Sequence, residues 1–189
     1  MARALRILYA GAFYHVFSRG NDRQPIFHDA ADRSKFLSIL AGACRTFHTR
    51  IHAYCLMPNH YHLLMETLEP TLSASMRHVN GVYTQWFNWK YHRVGHLLQG
   101  RFKAILVDRE TYGKELSRYI HLNPFHAGLT AQPHADPWSG ARYLLGHAKA
   151  PAWFETKWTL GQFSRQRRQA QGAYRRFLEE GKRQSDDVL

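Results

Sequence analysis

Apolar and polar residues alternate or recur along the chain in runs that predict a regular series of strands and helices. Four runs with the two-residue period of a strand lie at residues 12–18, 51–57, 60–66 and 101–107. Three runs with the three- and four-residue spacing of a helix lie at residues 29–48, 71–92 and 111–123. Asp29 or Asp32 is expected to cap the first helix, and Pro124 is expected to end the third.

The order of these elements is strand, helix, strand, strand, helix, strand, with one more helix after the last strand. This order is typical of the ferredoxin-like fold, an α+β fold in which an antiparallel sheet has helices packed on one face. Pro58 and Asn59 separate the second and third strands, which predicts a hairpin there. Because a basic helical segment at residues 161–181 follows a region of loops, we predict a main domain over residues 1–150 and a basic C-terminal extension over residues 151–189.

Composition adds an expectation about the partner. The chain has 189 residues, 44% of them hydrophobic, which is enough for the core of one domain. The formal net charge of +12 and the 14% of aromatic residues favour an anionic partner, especially single-stranded nucleic acid, because bases stack on aromatic rings. For the arginines of residues 161–181, phosphate contact and a merely solvated helix face stay equally open.

Cysteine usage and hydropathy bear on the compartment. Cys44 and Cys55 are too few and too poorly spaced for a disulfide framework or a zinc knuckle, so a reducing cytoplasm is expected. No segment of the sequence is long and apolar enough to cross a bilayer, and no membrane partner is expected.

The residues best suited to chemistry begin with two histidines in the third strand. Side chains two positions apart share one face of a strand, so His60 and His62 are expected to point the same way and to hold one metal ion. The pair alone is a weak signal, because the chain contains 13 histidines. His15, in the first strand, is assigned no role.

The third helix offers a partner for this pair. Tyr119 and Asn123 are four residues apart and lie on one helical face. An amide oxygen is a ligand for hard divalent ions, so Asn123 is expected to complete the site with Tyr119 beside the metal. This requires the helix to lie over the histidine face of the sheet, and Pro124 implies that Asn123 sits in a frayed or distorted last turn. A structural zinc bound by the two histidines is an alternative that stays open.

Four sequence blocks in a fixed order carry a family resemblance. They are YHVFSRGN at 14–21, CLMPNHYHLL at 55–64, QGRFKA at 99–104 and RYIHLNPFHAGL at 118–129. With this set the chain resembles the IS200/IS605-type single-tyrosine transposases of the HUH class, and in particular the REP-associated tyrosine transposases. Phe125 and His126 depart from the Val-Arg or Val-Lys pair that is common in relatives.

The resemblance implies a role for each candidate residue. His60 and His62 match the histidine pair, Tyr119 the nucleophile, and Asn123 the third ligand of a Mg²⁺ or Mn²⁺ ion. The residues expected to contact DNA are Arg19, Asn21, Arg23, Arg101 and Lys103. Residues 1–150 would form the single-tyrosine HUH transposase domain, and residues 151–189 would pack on it or contact DNA.

The activity implied by the resemblance is cleavage and joining of single-stranded DNA. The reaction would depend on a metal ion and would take place beside a hairpin such as a REP palindrome. It would form a 5′-phosphotyrosine intermediate, in the cytoplasm at the nucleoid. A catalytically silent nucleic-acid-binding protein with the same fold is the alternative. A monomer and a homodimer that exchanges catalytic helices both stay open.

Overall fold

Four strands and six α-helices make up the fold in the computed structural model, which describes residues 7–183. The strands are β1 (Ala12–Arg19), β2 (Thr49–Met57), β3 (His60–Thr67) and β4 (Lys103–Val107). The helices are α1 (Ala30–Thr46), α2 (Leu72–Lys90), α3 (Arg109–His126), α4 (Ala141–Leu144), α5 (Lys157–Gly161) and α6 (Arg167–Gly181). The strands form one antiparallel sheet in the order β2-β3-β1-β4, which confirms the predicted ferredoxin-like α+β fold.

The two-residue period of β3 gives the sheet two different faces. The β3 residues buried in the main hydrophobic core with α1 and α2 are Tyr61, Leu63 and Met65. The alternate residues point to the opposite face, where Leu64 joins a smaller apolar cluster with residues of α3. The helix that carries Tyr119 therefore lies on the same face of the sheet as His60 and His62.

A buried carboxylate connects the start of α1 to the end of α2. Asp29 caps α1 by accepting a hydrogen bond from the Asp32 N–H at 2.9 Å, while the Asp32 side chain accepts one from the Asp29 N–H at 3.2 Å. Lys90 Nζ donates to the Asp32 carboxylate at 2.6 Å, and the Tyr91 hydroxyl also donates to it. The fully buried Asp32 is thus paired and hydrogen-bonded, which offsets the cost of its desolvation.

The prediction that Pro124 ends the third helix is wrong. α3 continues to His126, and the Ala127 N–H still donates to the Asn123 carbonyl at 3.0 Å. Proline removes only its own N–H donor, and the loss of one backbone bond so close to the end does not stop a helix that is packed along its length. Asn123 accordingly lies within the helix, not in a frayed turn, and shares a face with Tyr119 one turn earlier.

The basic helix predicted at residues 161–181 begins later than expected and is preceded by a separate short helix. α5 ends at Gly161 and α6 begins at Arg167. Between them the Ser164 hydroxyl accepts a hydrogen bond from the Gln166 N–H at 3.2 Å. A serine side chain that bonds the nearby backbone in this way favours a turn over a continuous helix.

Residues beyond 150 pack against the preceding part of the chain. The Glu155 N–H donates to the Ile51 carbonyl of β2 at 2.8 Å, and Phe154 is buried in the main core. The division into domains at residue 150 stays a prediction. Of the helices within residues 7–183, none is long and apolar enough to span a membrane.

Candidate active site

The candidate nucleophile Tyr119 is positioned by the way α3 packs on the sheet. Leu116 and Ile120 lie on the inner side of α3 and are buried with Leu64 of β3 in the smaller apolar cluster, which Tyr119 borders. Residues three and four apart on a helix share a face, so this packing turns the Tyr119 side chain toward the sheet as well.

α6 holds α3 from the other side. His121 is fully buried, and its Nδ1 shares a hydrogen bond of 2.6 Å with the Tyr174 hydroxyl of α6. The same hydroxyl donates to Ser117 Oγ, one turn earlier on α3, at 3.4 Å. Burial lowers the pKa of His121 to about 3, so this contact places no charge in the interior at pH 7. Rotation of α3 would break these bonds, and they therefore help to fix the direction of Tyr119.

The histidine pair of β3 presents one unbonded ring nitrogen from each residue. His60 Nδ1 donates to the Asn59 side-chain oxygen at 2.7 Å. His62 Nδ1 shares a hydrogen bond of 2.9 Å with His15 Nε2. The His60 and His62 ring centroids are 5.0 Å apart. Within residues 7–183 both Nε2 atoms are left without a hydrogen bond, which is the usual state of a metal-binding nitrogen whose ring is oriented through the other one.

His15 of β1 is a functional candidate that the sequence analysis missed. It is only 3% exposed, and its ring stacks on that of His62 with centroids 5.1 Å apart. The rings of His15 and Tyr119 lie nearly perpendicular, with centroids 5.9 Å apart. Phe17 of β1 pairs with His62 of β3, which brings His15 to the same face two residues along. Alternation within β1 predicts that His15 and Phe17 share one face of the strand. Only the pairing of β1 with β3 shows that His15 contacts His62.

Tyr119 and Asn123 face the histidine pair across an open cleft, here called the catalytic cleft. The Tyr119 ring is edge-on to His62, with centroids 5.7 Å apart and an interplanar angle of 85°. Asn123 Nδ2 donates to the Tyr119 carbonyl at 3.4 Å, and the amide oxygen is not used by this bond. All four predicted catalytic and metal-binding residues line this cleft of about 410 Å³.

The three imidazoles beside the catalytic cleft are neutral at pH 7. Burial lowers the pKa of His15 to about 4. Burial and the charge of Arg19 lower the pKa of His60 to about 4. Burial, followed by the effects of His15, His60 and Arg19, lowers the pKa of His62 to about 2. A neutral imidazole keeps the lone pair that a metal ligand needs.

A divalent ion fits this set of donors. Two neutral imidazoles with unbonded Nε2 atoms and one amide oxygen line the same cleft. Within residues 7–183 no group of three or more His, Cys, Asp or Glu side chains is arranged to hold a metal. The fit therefore depends on the amide oxygen of Asn123.

Comparison with known proteins identifies the family. A family model described as "Transposase IS200 like" matches residues 9–123, more than half of the chain. The chain belongs to this family. The fold of this IS200-like transposase is similar to that of a REP-associated tyrosine transposase solved in complex with a REP hairpin, with a TM-score of 0.65 and 17% identity over 82% of this chain and 92% of that chain.

A second solved structure, from Deinococcus radiodurans and assigned as a transposase, aligns with the IS200-like chain less well. Its TM-score is 0.42, with 15% identity over 69% of this chain and 99% of that chain. No curated protein matches the chain.

The DNA contacts predicted for this IS200-like transposase fall in two places. The three that line the catalytic cleft are Arg19, Arg101 and Lys103. The predicted fourth strand begins later than expected, at Lys103, so that Arg101 lies in the loop just before it. Asn21 and Arg23 lie in the exposed turn after β1 and do not line the cleft, although the Arg23 carbonyl accepts a hydrogen bond from Asn59 at 3.0 Å.

Proposed function

We propose that this transposase is a metal-dependent endonuclease and strand transferase that cleaves single-stranded DNA beside hairpins through a 5′-phosphotyrosine intermediate. The observation that carries the proposal is the edge-on contact of Tyr119 with His62 in a cleft shared with His60 and Asn123. A nucleophile held beside candidate metal ligands is the arrangement that phosphoryl transfer requires. The fold shared with a transposase solved on a REP hairpin supports a REP-like palindrome as the hairpin.

In this mechanism His60, His62 and Asn123 would hold one Mg²⁺ or Mn²⁺ ion. Such an ion would supply Lewis-acid chemistry, by drawing charge from the phosphate oxygens and making the phosphorus easier to attack. The hydrogen bonds of Asn59 to His60 and of His15 to His62 keep the two rings oriented for this role.

Tyr119 supplies the nucleophile. Its hydroxyl oxygen attacks the phosphorus in line, the bond from phosphorus to the 3′ oxygen breaks, and that oxygen leaves as a 3′-hydroxyl after taking up a proton. The proton of the tyrosine hydroxyl passes to water in the open cleft. The new phosphotyrosine bond keeps the energy of the phosphodiester. A later attack by a 3′-hydroxyl can therefore join a strand and release Tyr119 without ATP.

The basic residues around the cleft bind the backbone of the strand in this proposal. Arg19, Arg101 and Lys103 line the cleft. Asn21 and Arg23 contact the DNA outside it. Residues 1–150 act as the single-tyrosine domain. Residues 151–189 are a basic extension that adds the exposed arginines of α6 to the DNA-binding surface. The protein works at the nucleoid in the cytoplasm.

Tyr119→Phe tests the proposal. Wild-type protein incubated with a single-stranded hairpin oligonucleotide and Mn²⁺ is expected to form a covalent protein-DNA adduct, detected on a denaturing gel. Tyr119→Phe removes only the attacking oxygen and is expected to lower adduct formation by at least about 1,000-fold. Tyr112→Phe is the matched control on the same helix, since Tyr112 is 63% exposed and keeps the adduct. Wild-type protein that binds this DNA and forms no adduct would establish the alternative, a catalytically silent DNA-binding protein.

Metal analysis tests the structural-zinc alternative. Protein treated with a chelator is expected to lose adduct formation and to regain it with Mg²⁺ or Mn²⁺, and His60→Ala is expected to lose it as well. Zinc that survives chelation, together with cleavage that His60→Ala leaves unaffected, would contradict the proposed role of the histidine pair.

A further inference from the structure

Three surface clefts, of which the catalytic cleft is the first, share lining residues around the start of β4 and so follow one another along the surface in one path. A bridging cleft runs along residues 99–105, and a distal cleft lies against the first half of α2. Arg101 lines all three clefts. Gln99 and Lys103 line the catalytic and bridging clefts, whereas Gly100 and Phe102 line the bridging and distal clefts. The loop before β4 is therefore a wall common to the whole path.

The charge along this path suits a polyanion. Among the described residues that line the three clefts there is no Asp or Glu. Arg19 and Lys103 lie at the catalytic end, Arg101 lies in the middle, and Arg77 lies at the distal end. Cationic side chains spaced along a groove without carboxylates are the means by which proteins follow the backbone of a single strand.

The distal cleft has the size and the walls of a site for a nucleobase. Its volume is about 670 Å³, within the range of about 300–1,000 Å³ that is common for small-ligand sites. The apolar part of its lining consists of Pro70, Ala74, Met76 and Phe102. Apolar walls of this kind accept the face of a base, while Arg77 is available for the phosphate attached to it.

One polar side chain of the distal cleft has a fixed orientation. The Tyr61 hydroxyl, on the face of β3 opposite to the histidine pair, donates to Asn80 Oδ1 at 2.7 Å. Burial raises the pKa of Tyr61, so this hydroxyl keeps its proton and remains the donor. Asn80 lines the distal cleft, and with its amide oxygen engaged by Tyr61 its Nδ2 is the side-chain donor available to a ligand there. A donor there favours the carbonyl oxygens of guanine and thymine over the amino groups of adenine and cytosine.

We propose that the distal cleft binds one keto base, guanine or thymine, of the strand whose phosphate lies in the catalytic cleft. The base bound by Asn80 then helps to select the position at which the strand is cut. The inference rests on the proposed function in one respect, namely that single-stranded DNA occupies the catalytic cleft. Because the bridging cleft separates the two sites, the selected base lies near the cleaved phosphate in the sequence but is not one of the two bases that flank it.

A binding selection tests this inference without any chemical step. Tyr119→Phe protein is mixed with hairpin DNA whose single-stranded flanks are randomised, and the bound strands are separated and sequenced. At one flank position, guanine or thymine is expected to be enriched over adenine and cytosine by about fivefold or more. Adding Asn80→Asp keeps an acceptor for the Tyr61 hydroxyl and removes the donor. This change is expected to shift the preference at that position toward adenine and cytosine, whose amino groups donate to a carboxylate.

Two further variants in the same background separate the cleft from its rim. Ala74→Leu fills the distal cleft without a change of charge and is expected to flatten the preference at that one position. Arg77→Ala is expected to weaken binding to all sequences alike and to reduce the slope of log affinity against log salt by about 0.7, the value for one phosphate contact on a single strand.

Asn88→Asp is the matched control. It makes the same change on the same helix, and the Asn88 amide donates to the Gly95 carbonyl at 2.9 Å, away from the path. Its base profile is expected to equal that of Tyr119→Phe alone, and thermal unfolding confirms that each variant is folded during the selection. A flat profile for Tyr119→Phe would overturn the inference. A profile that neither Asn80→Asp nor Ala74→Leu changes would overturn it as well. Failure of the wild type to form an adduct bears only on the proposed function, because the selection needs no tyrosine hydroxyl.

Discussion

The two faces of the sheet are built from alternate residues of the same strands, and only one of them is fully covered. Under α1 and α2, the side chains of Tyr61, Leu63 and Met65 are completely buried. On the opposite face α3 packs mainly on β2 and β3, and the catalytic cleft opens toward β4, beyond the strands that α3 covers. Ile105 of β4, which lines this cleft, is 48% exposed.

This difference shows how one fold provides both stability and a site. The covered face excludes water and buries apolar area, which stabilises the fold. The partly covered face holds three neighbouring imidazoles beside the catalytic cleft, and their burial keeps them neutral at pH 7. A single residue step along β3, from Tyr61 to His62, separates the two environments.

Two neighbouring leucines of β3 give the largest expected effect and divide the faces. Leu63 and Leu64 are both fully buried, on opposite sides of the sheet. Changing either to Ala leaves a cavity and is expected to cost about 2–5 kcal/mol in the free energy of unfolding. Only Leu64→Ala removes packing under Leu116 and Ile120, so only this variant is expected to lower the rate of adduct formation per folded molecule.

Denaturant unfolding measures the first quantity, and single-turnover adduct formation corrected for the folded fraction measures the second. The same corrected rate in both variants would show that the packing of α3 on the sheet does not position Tyr119, and the distinction between the faces would then concern stability alone.

Local geometry was sufficient for much of this arrangement to be predicted. Alternation along β3 assigns Tyr61 and His62 to different faces, and the four-residue spacing on a helix assigns Tyr119 and Asn123 to one face. These assignments need no knowledge of distant residues, and the structure places all but Tyr61 in one cleft. The family resemblance supplied their expected roles.

The sequence could not provide what depends on contacts between distant segments. His15 meets His62 only because β1 pairs with β3, and nothing in the spacing of the two residues specifies that pairing. The error at Pro124 has a similar origin, since a local rule about proline was outweighed by the packing of the whole helix. The path past Arg101 likewise depends on a loop, a strand and α2 coming together.

Substitution of His15 is expected to have an intermediate effect and tests how the partly covered face orients the proposed metal ligand His62. His15→Phe keeps an aromatic ring but removes the hydrogen-bond partner of His62 Nδ1. Loss of such a positioning residue is expected to weaken Mn²⁺ binding by about 10- to 100-fold, measured by calorimetry without DNA. His15→Gln places an amide group near the former Nε2 and is expected to recover most of the affinity. Equal Mn²⁺ affinity in the wild type and His15→Phe would show that this bond does not position His62.

The smallest effect is expected at the rear of the same face, where a carboxylate has a structural role. Glu66 accepts a hydrogen bond from His52 Nε2 at 3.0 Å, and its side chain lies 3.8 Å from Arg50. The His52 bond is the main reason that the pKa of Glu66 is lower than its ordinary value of 4.5. A folded-state pKa below the unfolded one stabilises the protein above about pH 4.5, and this stabilisation is lost as the pH falls through the folded value.

Glu66→Gln is therefore expected to reduce the loss of unfolding free energy between about pH 6 and pH 3, measured by urea unfolding at a series of pH values. Glu69→Gln, at an exposed carboxylate just beyond β3, is the control. Because Glu66 lies four residues from His62 and outside the catalytic cleft, Mn²⁺ affinity and adduct formation at pH 7 are expected to stay at the wild-type level. If Glu66→Gln abolished the adduct in a folded protein, the rear of this face would belong to the site, and the boundary between its structural and functional halves would have to move beyond Leu64.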